Sequence, residues 1–178
     1  MIIQGKPKKY AETVGEIVQN RHFLTFHPDD KIPEMIERMS DAEIAAGVVV
    51  SSSGRCVGIV TEREIVRRAF GNTQKMQVRL DYLSDNKKAD EKTAWDIMIA
   101  SPDRLHPEDS IEDALDVISY FGYRHMPVVT HQGTALGIID ALELHEHVQE
   151  RSKEIQDCKD SLLSYFMGLE SYGRGASI

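Results

Sequence analysis

Apolar residues recur along the chain in two alternating rhythms. Ile32, Met35, Ile36 and Met39 follow three- and four-residue steps, as do Ile111, Leu115 and Ile118. That spacing gathers them on one face of a helix. After each such stretch come dense β-branched runs: "GVVV" and "CVGIV" flank "SSSGR", and "MPVV" and "ALGII" flank "THQGT". Each pair predicts a β-hairpin with Gly54 or Gly133 in its turn. Ahead of each apolar-faced helix stands His-Pro followed by carboxylates, "HPDD" at 27–30 and "HPED" at 106–109. A residue before proline is driven to extended backbone and acids suit a helix's first turn, so each motif predicts a passage from short strand into helix. Ser110 with Asp113 approximates a capping box. A closing helix is predicted after each hairpin, beginning near Glu62 and near Ala141.

The two sets are copies of one another. His27 and His106 stand 79 positions apart, and the same offset lays "VVVSSSGRCVGIV" (48–60) against "PVVTHQGTALGII" (127–139) without a gap. Val49 meets Val128, Val50 meets Val129, Gly54 meets Gly133, Gly58 meets Gly137 and Ile59 meets Ile138. Upstream, "VGEIV" (14–18) resembles "AWDIM" (94–98) at an offset of 80. Shared features in this order point to a tandem duplication. Each unit should run helix, strand, helix, strand, strand, helix, giving an α+β fold with units at 13–70 and 94–150. A unit of about 60 residues is a marginal core alone, so the copies are expected to pack as one body about a pseudo-twofold axis. Residues 1–12 form an N-terminal arm, and 71–93, polar with four lysines, a linker that is helical in part. Residues 151–178 continue a C-terminal helix and end in a mobile tail, "YGRGASI".

Composition narrows the class. The 178 residues are 41% hydrophobic and 28% charged, enough for a real core. No run approaches the roughly 20 apolar residues of a membrane span, and "MIIQGKPKKY" is too short and polar for a signal peptide. A cytoplasmic protein with no membrane partner is expected. A formal net charge of −8 argues against nucleic acid, which needs clustered Lys and Arg. Cys56 and Cys158 make no disulfide or metal framework, and Cys56 should face the core. His145 and His147 point to different faces of a helix, and with His131 offer no ligand spacing. His27 and His106 read as parts of the fold. No Gly-rich phosphate loop or nucleophile motif is present, so no catalytic activity is expected.

Two units ending in "GIVTEREIVRR" and "GIIDALELHEH", each behind a Val-Val hairpin strand, resemble a pair of cystathionine β-synthase (CBS) domains, a Bateman module, over roughly residues 13–150. "GVVVSSSGRCVGIVTEREIVRR" with "YRHMPVV" is especially similar to stand-alone bacterial members. The resemblance implies a regulatory sensor that needs no cofactor and binds an adenine nucleotide (AMP, ADP or ATP) or a related adenosyl ligand such as NAD or S-adenosylmethionine. It also implies a homodimer that signals to an effector protein. Leu144, Val148, Ile155, Cys158, Leu162, Phe166 and Leu169, at three-, four- and seven-residue steps, form a stripe that needs a partner or folds back on its own module.

In ligand-binding members a Gly-hydrophobic-x-Thr/Ser-x-x-Asp motif holds the ribose and phosphate. The first copy matches it with Gly58, Thr61 and Glu64, the last keeping the charge of Asp with one more methylene. A hydroxyl and a nearby carboxylate suit phosphate and ribose oxygens. The second copy places Asp140 and Glu143 where phosphates would lie, which implies a poor or empty site. Before the central strand the copies also differ, "AAG" (45–47) against "RHM" (124–126). Arg124 offers a bidentate fork, and a partly protonated His125 adds charge. In similar proteins basic residues here reach the ligand held by the other unit. Arg63, Met126 and Pro127 complete the candidate ligand-binding set. The competing readings make Thr61 a helix N-cap, Arg124 a salt-bridge partner and His125 a satisfied half-buried histidine. With Glu64, Asp140 and Glu143 all off the family pattern, the alternative function is a ligand-free structural or dimerisation module.

Overall fold

The computed structural model describes residues 11–69 and 91–173, and within them the repeat becomes two runs of similar element order. The first comprises α1 (Val14–Val18), β1 (Leu24–Phe26), α2 (Ile32–Ala42), β2 (Ala46–Val50), β3 (Cys56–Thr61) and α3 (Glu62–Glu64), which widens into a π-helical turn at Ile65–Ala69. The second comprises α4 (Ala94–Ile97), β4 (Ile99–Ala100), α5 (Ile111–Phe121), β5 (His125–Val129), β6 (Ala135–Asp140) and α6 (Ala141–Gly173). This is the expected α+β fold with a C-terminal helix. The expected linker and arm lie mostly outside the described residues. Tyr172 and Gly173, expected in the mobile tail, instead end α6. Among the described residues no helix is long and apolar enough to cross a membrane.

The strands form a four-stranded sheet of order β1-β2-β3-β4, with β1 parallel to β2 and the other pairs antiparallel, and a two-stranded β5-β6 hairpin. The counterpart of β1 in the second unit shrinks to one parallel bridge between Leu105 and Val128. Gly54 and Gly133 hold the hairpin turns at φ 75° and 87°, the left-handed region that favours a residue without Cβ. These turns bond to each other: the Cys56 N–H donates to the Gly133 carbonyl at 2.9 Å and the Ala135 N–H to the Gly54 carbonyl at 3.3 Å. Between the sheets Val48, Val50, Cys56 and Val129 form a shared apolar cluster.

The first helix of each unit docks on the other unit, an exchange that no local sequence signal marks. Val14, Ile17 and Val18 of α1 join Met126, Val128 and Ile139 in the second unit's core, while Ala94, Ile97 and Met98 join Phe26, Val49 and Val60 in the first. The repeated His-Pro motif is the docking turn. In each copy the Asp carboxylate accepts the His N–H, at 2.9 Å for His27 to Asp30 and 2.7 Å for His106 to Asp109, closing a tight turn. The carbonyls that this turn points outward receive the otherwise unpaired N–H groups of the exchanged helix. Val14 and Gly15 donate to Asp109 and Pro107, both at 2.9 Å, and Ala94 and Trp95 donate to Asp30 and Pro28 at 2.8 and 2.9 Å.

The paired glycines Gly58 and Gly137 make room for this exchange. A Cβ on Gly137 would lie 2.7 Å from the Val18 Cβ, and one on Gly58 would run into the Met98 side chain. Gly137→Ala should therefore cost about 1–3 kcal/mol through overpacking against a stiff β-branched neighbour. Urea unfolding checks it, and a variant as stable as wild type would show that α1 does not press on β6.

Candidate functional site

The exchange builds two clefts, one on each side of the pseudo-twofold. The first, of about 280 Å³, is walled by Ala45, Ile59, Thr61, Arg63 and Glu64 from the first unit, by Ile99 of the exchanged β4, and by Tyr123, Arg124 and His125 from the second. It brings together five of the expected site residues from two segments more than 50 residues apart in sequence: Thr61, Arg63, Glu64, Arg124 and His125. Gly58, Met126 and Pro127 are not on its wall, which departs from the expectation. Gly58 lies beneath Met98, Met126 is 2% exposed in the second core, and the buried Pro127 gives its carbonyl to the Leu105 N–H.

Each wall residue has a local cause. Thr61 caps α3, its hydroxyl oxygen accepting the Glu64 N–H at 3.2 Å, so the capping reading of Thr61 is realised while its O–H stays available to donate. That cap turns Glu64 inward, where it is only 5% exposed. Arg68, one helical turn on, stands with Nε 2.7 Å from Glu64 Oε2, and Arg67 is 3.6 Å from Oε1. The Arg68 N–H is misaligned, and among the described residues Oε2 accepts no hydrogen bond. The carboxylate is thus balanced in charge but short of donors. Arg68 also donates from Nη1 to the Met98 carbonyl at 2.7 Å, so it ties Glu64 to the exchanged segment. Arg68 is not among the expected site residues, although Glu64 and Arg68 stand at the (i, i+4) spacing of a helical ion pair.

The second cleft is wider, about 490 Å³, and is lined by Val18, Arg21, His22 and Phe23 from the exchanged segment, by Glu43 to Ala46, and by His125, Ile138, Asp140 and Glu143. Two of its three carboxylates are engaged. Arg21 bridges Glu143, and Asp140 Oδ1 caps α6 by accepting the Leu142 N–H at 2.7 Å. Arg21 had no sequence signal, because its place depends on the exchange.

Between the clefts His125 and Asp140 face each other across the β5-β6 ladder, Nε2 to Oδ2 3.1 Å. The equivalent pair in the first unit is Ala46 and Thr61. Burial lowers the His125 pKa below its ordinary value; Asp140 and Glu62 pull it back up and Arg124 pushes it further down. His125 is therefore neutral at pH 7, and the expected extra positive charge is corrected to a half-buried, partnered histidine. Arg124 is exposed on the cleft wall and has no ion pair among the described residues.

A CBS domain family model matches residues 14–71 and 94–150. The chain belongs to the CBS domain family. This CBS pair is 28% identical over 134 residues to an uncharacterised 17.7 kDa protein of Acidianus ambivalens, spanning 75% of this chain and 71% of that one. Among solved structures, CBSX2 of Arabidopsis thaliana in complex with AMP superposes with a TM-score of 0.62 at 20% identity, over 80% of this chain and 99% of that one. The CBS domain pair of protein MJ0100, in complex with 5′-methylthioadenosine and S-adenosylmethionine, superposes with a TM-score of 0.59 at 16% identity, over 79% and 99%. At these identities the structural likeness is one of fold. Among the described residues of this CBS pair, no group of three or more His, Cys, Asp or Glu is placed to hold a metal ion.

The lowered pKa of His125 has a sign. Above the unfolded value of 6.5 both states are neutral at this position; below it the unfolded chain takes up a proton that the folded chain resists. Stability should fall as pH drops below 6.5 and level off beneath the folded pKa. Thermal melts at about pH 7.5 and about pH 5.5 should show a smaller acid loss for His125→Asn than for wild type. Equal losses would mean His125 titrates normally.

Proposed function

We propose that this CBS pair is a non-catalytic sensor that holds one adenine nucleotide per chain in the first cleft and passes its occupancy to an effector protein. The observation that carries the reading is Glu64, a buried carboxylate on the cleft wall whose Oε2, among the described residues, lacks a hydrogen-bond donor, on the same cleft wall as Arg124, which has no ion pair among them. A ribose diol supplies two O–H donors that match a carboxylate of this kind. Arg124 meets the phosphate with a charge-assisted fork, the Thr61 O–H donates beside it, and neutral His125 contributes a hydrogen bond rather than a charge. The AMP and adenosyl ligands of CBSX2 and MJ0100 support the ligand class. ADP, ATP, NAD and S-adenosylmethionine share the ribose and differ in what they bring to Arg124.

One observation favours a second reading, a structural module without ligand: Arg68 already neutralises Glu64. Calorimetry with AMP, ATP, NAD and S-adenosylmethionine separates the two. In the sensor reading, AMP binds one per chain, Arg124→Ala weakens it about ten- to hundredfold, and Thr61→Val weakens it as well. Arg21→Ala, confined to the second cleft, leaves affinity unchanged. No heat with any of the four ligands at millimolar concentration would leave the structural reading.

A further inference from the structure

We propose that the two joined hairpin turns carry a phosphate-binding site, in which Arg55 of the first unit and Arg104 of the second grip one phosphate group over Gly133. The pairing of the arginines points to the place. Among the described residues Arg21, Arg38, Arg67, Arg68 and Arg151 each stand against a carboxylate. Of the arginines without an ion pair among them, Arg63 and Arg124 belong to the first cleft, which leaves Arg55 and Arg104, both exposed, in a chain of net charge −8. These two meet at one point. A Cβ built on Gly133 would lie 3.6 Å from Arg55 Nε and 4.0 Å from Arg104 Nη1, so the missing side chain leaves a hollow flanked by two guanidinium groups.

The convergence belongs to this side of the molecule alone. At the 79-residue offset Arg55 and Arg104 correspond to Thr134 and Thr25, and a Cβ on Gly54, the counterpart of Gly133, would meet nothing within 4 Å. The pair therefore does not come with the fold. Its neighbours hold it open. Arg55 Nε donates to the Gln132 carbonyl at 2.8 Å, which fixes the guanidinium across the turn and leaves its two Nη groups unbound among the described residues. The carboxylates next along the chain from Arg104 are taken: Asp103 accepts the Tyr123 hydroxyl, and Glu108 stands against His131. Two like charges brought to one point repel, and an anion between them turns the repulsion into attraction. A carboxylate has two oxygens and is filled by one guanidinium fork, whereas the terminal oxygens of a phosphate group can accept from both.

The site stands apart from the clefts. Gly54 and Gly133 lie at one end of β3 and β6, and Thr61 and Asp140 at the other, about 17 Å away across six-residue strands at roughly 3.3 Å per residue. The loop that carries Arg104 leads into the His106 turn on which α1 docks, so an anion here ties the first hairpin to that turn.

The test uses the full chain without nucleotide and reads the signal at Gly133, so its outcome is independent of the sensor reading. Titration of isotope-labelled protein with inorganic phosphate, at an ionic strength held constant with sodium chloride, should move the Gly133 amide resonance saturably in the millimolar range. Sodium chloride alone should not. O-Phosphoserine, titrated in the same way, separates the two sources of the group: whichever anion binds more tightly identifies the ligand as free phosphate or as a phosphate monoester. Arg104→Gln and Arg55→Gln should each weaken binding about tenfold, and because both side chains are exposed the remaining resonances should show both variants folded. A Gly133 resonance that neither anion moves, one that chloride moves equally, or an affinity that either variant leaves unchanged would each overturn the proposal.

Discussion

Four main-chain hydrogen bonds from two helix N-termini to two His-Pro turns hold the exchange on which the rest of the molecule depends. A turn closed by its own aspartate leaves carbonyls pointing outward, and a short helix leaves N–H groups without partners; each supplies what the other lacks. Because helix and turn come from different units, neither unit completes its core alone. Phe26 and Val49 share one core with Ile97, and Met126 and Val128 share the other with Val14 and Val18. The glycines Gly58 and Gly137 follow from the same constraint, since any side chain there would push the exchanged segment away.

The clefts are a consequence of the exchange, and their difference comes from a few substitutions on a shared frame. Both are walled by one unit's β-hairpin and helix start, the other unit's central strand entry and the exchanged segment. Thr61 and Asp140 occupy the same place and do the same capping task, one with a hydroxyl and one with a carboxylate. The carboxylate recruits His125, and Arg21 recruits Glu143, so both carboxylates that the second unit brings to the second cleft are partnered. Across the ladder from Thr61 stands Ala46, which offers it no polar partner, and among the described residues Glu64 is held by an arginine that gives it no hydrogen bond and Arg124 has no ion pair.

The parts of the fold legible in the sequence were those set by local rules. The hairpins follow from β-branched runs around Gly54 and Gly133, and α2 and α5 from the spacing of Met35, Met39, Ile111 and Ile118. The resemblance to the family implied that Arg124 and His125 come near Thr61 and Glu64, and they do. What stayed hidden depends on contacts between distant segments. Nothing local tells α1 to leave its own unit, so Arg21 and Ile99 were not expected in the clefts, nor was the packing of Met98 on Gly58. The charge on His125 depended on burial and on Asp140, neither of which a spacing reveals. Arg68 was legible by its (i, i+4) distance from Glu64 and was passed over because the family motif ends at that carboxylate.

If each core contains a helix of the other unit, the two units must open together. Urea-dependent native-state amide exchange measures this most directly, by comparing the most protected amides of β2 in the first unit with those of β5 in the second. The account predicts one opening free energy and one urea dependence for both strands, equal to global unfolding. A β5 that opens at lower free energy than β2, or with a smaller urea dependence, would show that the units fold separately and that the exchange does not hold the molecule together.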